Sequence, residues 1–138
     1  MSVQLNPYLS FRDSARAALA FYQSVFGGEV TISRFADAGI SDDPAEQDKV
    51  MHGMLVGDNG LVLMAADTPD QMDLAYGSSI SMSLSGDDTE LLTGYWKALS
   101  TDGTVTVPLE QSPWGDTFGM CTDSFGTDWL VNILASQD

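Results

Sequence analysis

Two stretches decide how this chain folds: DSARAALAFYQSVFGG at residues 13–28 and DDTELLTGYWKALSTDG at residues 87–103. In the first, Ala18, Phe21, Tyr22 and Val25 recur at i, i+3, i+4 and i+7, the spacing of one helical stripe. Asp13 or Ser14 stands where a side-chain oxygen can cap the opening turn, and Gly27-Gly28 offers a left-handed stop. The second stretch repeats the plan. Leu91, Leu92, Tyr95, Trp96 and Leu99 make its stripe, Asp87 with Glu90 forms a capping pair, and Gly103 follows the helix. A shift of 74 positions lays Asp13 on Asp87, Phe21 on Tyr95 and Tyr22 on Trp96, and this agreement argues for duplication. Burying Tyr95 or Trp96 against a sheet is worth roughly 2–3 kcal/mol each, so helical spacing assigns these aromatics to the core.

Strands flank both helices in the same order. Residues 7–11, 29–36, 50–56 and 61–66 read as strands of a first half; residues 79–85, 104–109, 117–122 and 128–134 read as strands of a second. Asn59-Gly60 is a strong hairpin signal between two of them. Residues 37–48, with Gly39, Pro44 and five acidic side chains, read as a mobile loop. The expected class is therefore α+β: two tandem βαβββ modules, about residues 5–67 and 78–135, with curved mixed sheets in a single domain spanning 1–138.

Composition narrows the function. Twenty acidic residues against five basic ones leave a formal net charge of −15, which repels a phosphate backbone and disfavours nucleic-acid binding. The same field steers cations inward and supports solubility. One cysteine, Cys121, permits no intramolecular disulfide and reads as a core thiol. With no leader and no apolar run long enough for a bilayer, the expected setting is cytoplasmic, away from membranes.

The segments Pro7-Tyr8-Leu9-Ser10-Phe11, Ala20-Phe21-Tyr22 and Val25-Phe26-Gly27-Gly28 resemble the opening module of the glyoxalase/bleomycin-resistance/extradiol-dioxygenase (vicinal oxygen chelate) superfamily. Three further segments are similar to its PhnB-like branch, often labelled 3-demethylubiquinone methyltransferase-like. They are Met51-His52-Gly53, Ser112-Pro113-Trp114-Gly115-Asp116 with Phe118-Gly119, and Thr122-Asp123-Ser124-Phe125-Gly126 with Trp129. The resemblance covers nearly the whole chain and implies a cavity for a small molecule and a homodimer. No methyl-donor or dinucleotide signature accompanies it. In the superfamily's enzymes, His or Glu at four strand points holds a divalent metal. Those points fall here near Asn6, at Met64 or Ala65, at Ser79 and at Leu130, none a good ligand, so a metal cofactor is disfavoured.

The candidate ligand-binding residues are His52, Met64, Trp114, Asp116 and Phe118. His52, mid-strand with Val50, Met54 and Val56 on its face, is either a group that acts as a base, donates to a ligand or binds a metal with distant acidic groups, or a satisfied core histidine. Trp114 either stacks on a ligand or plugs its loop, with Asp116 pairing a ligand group or capping the turn. The methionines supply a soft wall or ordinary packing. The expected function is metal-free small-molecule binding. The alternatives are a lyase or isomerase acting on a small carbonyl compound with His52 as acid–base group and an incomplete or relocated metal site, or sequestration of a cationic antibiotic.

Overall fold

The computed structural model describes residues 5–39, 44–69 and 80–135. It divides into two compact units, Met1–Ala75 and Tyr76–Asp138.

In the first unit, β1 (Tyr8–Phe11), α1 (Ala15–Phe26), β2 (Glu29–Arg34), the one-turn α2 (Phe35–Ala38), β3 (Val50–Val56) and β4 (Val62–Asp67) follow one another. The sheet order is β1-β4-β3-β2, with β1 parallel to β4 and the other pairs antiparallel. The apolar stripe of α1 buries Ala15, Ala18, Leu19, Tyr22 and Phe26, while Phe11, Leu55, Leu63 and Ala65 are buried from the strands. Gly53 marks the closest approach: a Cβ there would run into Leu19 Cδ1. The expected hairpin joins β3 to β4, and Asn59 (φ 64°) and Gly60 (φ 77°) both adopt the left-handed conformation such a tight reversal favours.

Several local expectations are revised by tertiary contacts. Ser14 is the N-cap of α1 but its side chain makes no capping bond; the backbone N–H of Ala15 donates instead to Asp67 Oδ1 on β4 at 2.9 Å. The other oxygen of the same buried carboxylate accepts from Val50 N, also at 2.9 Å. β2 ends at Arg34 because Phe35 turns inward and is buried, and Asp37 reaches back to the Arg34 N–H to close that turn. Within the stretch read as a loop, α2 and a 3₁₀ turn at Pro44–Glu46 are formed, and residues 40–43 lie outside the described residues. Lys49, only 8% exposed, places its ammonium 3.0 Å from Asp13 and 3.5 Å from buried Glu46.

The second unit repeats the topology with β5 (Met82–Gly86), α3 (Thr89–Ser100), β6 (Thr104–Gln111), β7 (Thr117–Thr122) and β8 (Asp128–Ile133), in the order β5-β8-β7-β6. Residue 79, read as the start of β5, lies outside the described residues. The two long helices are each 12 residues and start 74 positions apart, at Ala15 and Thr89. Their last strands, Val62–Asp67 and Asp128–Ile133, are offset by 66, the first unit having the longer connection before its third strand. The cap of α3 is Asp88 rather than Asp87, accepting from Leu91 N at 3.0 Å. Tyr22, Tyr95 and Trp96 are buried as core; Phe21 is half-buried, its ring 5.4 Å from that of Tyr22.

The Asp123-Ser124-Phe125-Gly126-Thr127-Asp128-Trp129 segment has a structural explanation. Buried Asp123 accepts from Phe125 N and Thr127 N through Oδ1, and from the Trp129 indole N–H through Oδ2 at 2.8 Å. One carboxylate thereby shapes the β7–β8 turn and satisfies the polar edge of a core tryptophan.

Asp67 satisfies two buried backbone N–H groups that have no water to replace it. Asp67→Ala, which orphans the Ala15 and Val50 N–H groups, is expected to lower unfolding stability by about 3 kcal/mol in urea titration, with Asp67→Asn losing less.

Candidate functional site

Each sheet has one face under its helix and one turned away from it, and strand alternation decides which side chains reach the second. In the first unit, the register places Tyr8 beside Met64, Met64 beside Met54, and Met54 beside Thr31 in one row. His52, paired with Ser33, falls on the same face one step along. This face also carries Ser10, Val56, Val62 and Ala66, whereas Gly53 and Leu55 lie under α1.

Val50 does not share the His52 face. A bulge between Ser33 and Arg34 pairs Arg34 with Val50 and leaves Met51 unpaired, flipping Val50 to the helix side. There it is buried, and its Cγ1 would sit 3.3 Å from a Cβ at Gly53. His52 is half-buried, and Tyr8 Oη lies 3.3 Å from its Nδ1, with ring centroids 5.8 Å apart. Because β4 separates β1 from β3, the Tyr8 ring must lie across β4, where the short side chain of Ala66 leaves room. Tyr8 is the site residue that sequence reading missed. Its outward direction was legible from the alternation with Leu9 and Phe11, but a partner 44 residues away became visible only with the strand order.

In the second unit, Phe118 lies between Asn132 and Glu110, and Met120 between Leu130 and Val107, all on the face away from α3. Gly119 between them points to the helix, where a Cβ would come 2.9 Å from Trp96 Cη2. The β6–β7 connection is tightly built. Ser112 donates through both its backbone N–H and its hydroxyl to Asp116 O, and Gly115 N donates to Ser112 O. The Asp116 carboxylate accepts from Ala135 N, just past the end of β8, at 2.8 Å, so it ties the β6–β7 connection to that segment rather than capping its own turn. Trp114 does not plug this loop: it is 74% exposed. The structure therefore brings His52 and Met64 onto one face of the first sheet, Phe118 onto the corresponding face of the second, and Trp114 and Asp116 into one hairpin.

The superfamily's four metal points can be tested against these faces. In the first unit the relevant row holds Tyr8 and Met64, and in the second it holds Ser83 and Leu130; Asn6 precedes β1 and Ser79 is outside the described residues. A phenol, a thioether, a primary hydroxyl and an aliphatic chain do not make a site for a divalent ion. Among the described residues no three His, Cys, Asp or Glu side chains converge. The donor set does not fit the metal.

Three titrating groups are displaced by their surroundings, the Arg34 guanidinium being raised by its hydrogen bond to Asp37. The Arg34 backbone N–H and guanidinium hold the Asp37 carboxyl below its usual range at an exposed turn. Burial, with a smaller contribution from Asp123 and Asp128, pushes the Cys121 thiol up to about 11. Among the described residues, no helix is long and apolar enough to cross a membrane.

The sequence profile of the Glyoxalase/Bleomycin resistance protein/Dioxygenase superfamily matches residues 4–131. The chain belongs to this superfamily. It is 34% identical to protein PA1353 from Pseudomonas aeruginosa, whose crystal structure superposes with a TM-score of 0.81 over 98% of this chain and 100% of that one. A PhnB protein from Bacillus cereus, named as a 3-demethylubiquinone-9 3-methyltransferase, has the same fold, with a TM-score of 0.77 at 23% identity over 96% of this chain and 100% of that one. In sequence the chain is 27% identical to Protein YjdN of Escherichia coli (strain K12), covering 96% of this chain and 97% of YjdN. It is 30% identical to the uncharacterized protein Rv0887c of Mycobacterium tuberculosis, covering 95% of this chain and 76% of that protein.

A raised thiol pKa makes Cys121 inert. Iodoacetamide at pH 8 is expected to leave the native protein unmodified and to label it fully in denaturant. The unfolded chain loses the thiol proton near its ordinary value of 9.0 and the folded one only near 11, so stability falls as pH climbs through that window; a Cys121→Ala variant, compared by alkaline urea titration, lacks this fall.

Proposed function

We propose that this superfamily member binds a small molecule without a metal ion, on the sheet faces turned away from its helices, and that it acts as a homodimer. The observation that supports this most directly is the hydrogen-bonded, half-exposed Tyr8–His52 pair beside Met54 and Met64. A polar couple set on soft apolar side chains is what a small-molecule site offers: area for burial and a few groups to fix orientation. In the second unit, Phe118 and Met120 supply a similar apolar floor, and Trp114, held out by a rigid hairpin, is a surface for stacking. Asp116 ties that hairpin to the segment after β8, so its role toward a ligand is to hold Trp114 in place.

The Tyr8–His52 pair also favours a second reading, a lyase or isomerase of glyoxalase type acting on a small carbonyl compound. An imidazole bonded to a phenol can take up and return a proton. In that reading His52 is the acid–base group and Tyr8 orients it, with no step through a metal.

Protein prepared without chelator and then treated with EDTA separates these possibilities. Screened against small carbonyl compounds, phenols and cationic antibiotics, a ligand at a hundred times its Kd is expected to raise Tm by about 10 °C with or without EDTA, and His52→Ala to abolish most of that rise. Binding that needs one equivalent of a divalent ion per chain, found by elemental analysis, overturns the proposal. Conversion of the bound compound, followed by proton NMR and lost in His52→Ala, selects the enzyme.

A further inference from the structure

The geometry points to an uncharged, largely apolar ligand carrying a hydrogen-bond-accepting oxygen, held by the Nε2–H of His52 in a tautomer that Tyr8 selects. This rests on the binding reading above and names the chemistry of its ligand. Tyr8 is 49% exposed, yet its hydroxyl is directed across β4 to His52 Nδ1, the only protein partner it has among the described residues. Either ring tautomer can make this contact, but a phenol O–H is a stronger donor than an imidazole N–H and an imidazole nitrogen a stronger acceptor than a phenol oxygen; the favoured arrangement has the phenol donating to a bare Nδ1, with the neutral ring's proton on Nε2. That Nε2 has no protein partner among the described residues. The face therefore presents one oriented N–H donor, and Tyr8 is a positioning residue for it.

The surroundings of the donor restrict what it can meet. Among the strand positions on this face, Met54, Val56, Val62, Met64 and Ala66 are apolar, Ser10, Thr31 and Ser33 are hydroxyls, and Glu29 at the end of β2 is the one formal charge. Arg34, displaced by the bulge, bonds to Asp37 and Asp48 and belongs to the opposite parity. Among the described residues no cation on the face offsets the desolvation of an anionic group, and the chain's net charge of −15 opposes its approach. A cation would be attracted at long range but meets an N–H donor at the point of contact. An oxygen acceptor on an uncharged apolar body matches both the donor and the floor.

His52 is the chain's single histidine, so its ring nitrogens can be read without ambiguity. Long-range proton–nitrogen NMR of the intact protein at pH 8 is expected to show the Nε2–H tautomer in excess, with Tyr8→Phe raising the Nδ1–H form severalfold while the amide spectrum stays folded. Acetophenone, benzoate, benzylamine and ethylbenzene are then titrated as uncharged acceptor, anion, cation and hydrocarbon of similar size. Acetophenone is expected to shift the Nε2 resonance and to bind at least about tenfold more tightly than the other three, the effect of one unmatched polar group. A predominant Nδ1–H tautomer, equal binding of benzoate or benzylamine, or no His52 response to acetophenone up to its solubility overturns the inference. If a ligand from the wider screen raises Tm while His52 stays unshifted, this inference fails and metal-free binding stands; if nothing raises Tm, both fail.

Discussion

In each unit the long helix lies directly on a glycine of the third strand, and the orientation of every other strand residue depends on that contact. Gly53 under Leu19 and Gly119 under Trp96 leave no space for a Cβ, so these positions can face only the helix. Period-two alternation then sends His52 and Met54, or Phe118 and Met120, to the opposite face. A one-residue slip in either strand would exchange the core set for the site set. The candidate site is thus a consequence of how closely helix and sheet pack.

Buried carboxylates hold that packing in register. Asp67 bonds the first turn of α1 and the start of β3 at once, joining three elements through two oxygens. Asp123 does comparable work for a turn and the Trp129 indole. The acidic character of the chain therefore has two parts. Most of it accompanies an exposed surface, whereas Asp67 and Asp123, like Glu46, are buried, and the two aspartates serve as internal acceptors for backbone and indole donors.

Membership of the glyoxalase superfamily sets a frame within which this chain's side chains are the informative part. The strand positions where the superfamily's enzymes are expected to carry ligands hold Met64 and Leu130, with Tyr8 and Ser83 beside them on the neighbouring strands. What remains at the first sheet is hydrogen-bond chemistry: a phenol, an imidazole and a floor of thioethers and aliphatic groups. In the proposed reading, such a set would bind through shape and one or two directed polar contacts.

The sequence by itself determined the duplicated βαβββ order, both long helices and the hairpin at Asn59-Gly60, because each is written in local periodicity, caps and turn residues. It also identified His52, Met64 and Phe118 as strand residues and Trp114 as part of a loop. Tertiary structure decided the rest. The bulge that moved Val50 off the His52 face, the capture of Ala15 N by Asp67 in place of a local cap, and the Tyr8–His52 bond all join residues far apart in the chain or depend on strand pairing. Local pattern records which way a side chain alternates, but only the order β1-β4-β3-β2 brings a tyrosine from the first strand to a histidine on the third.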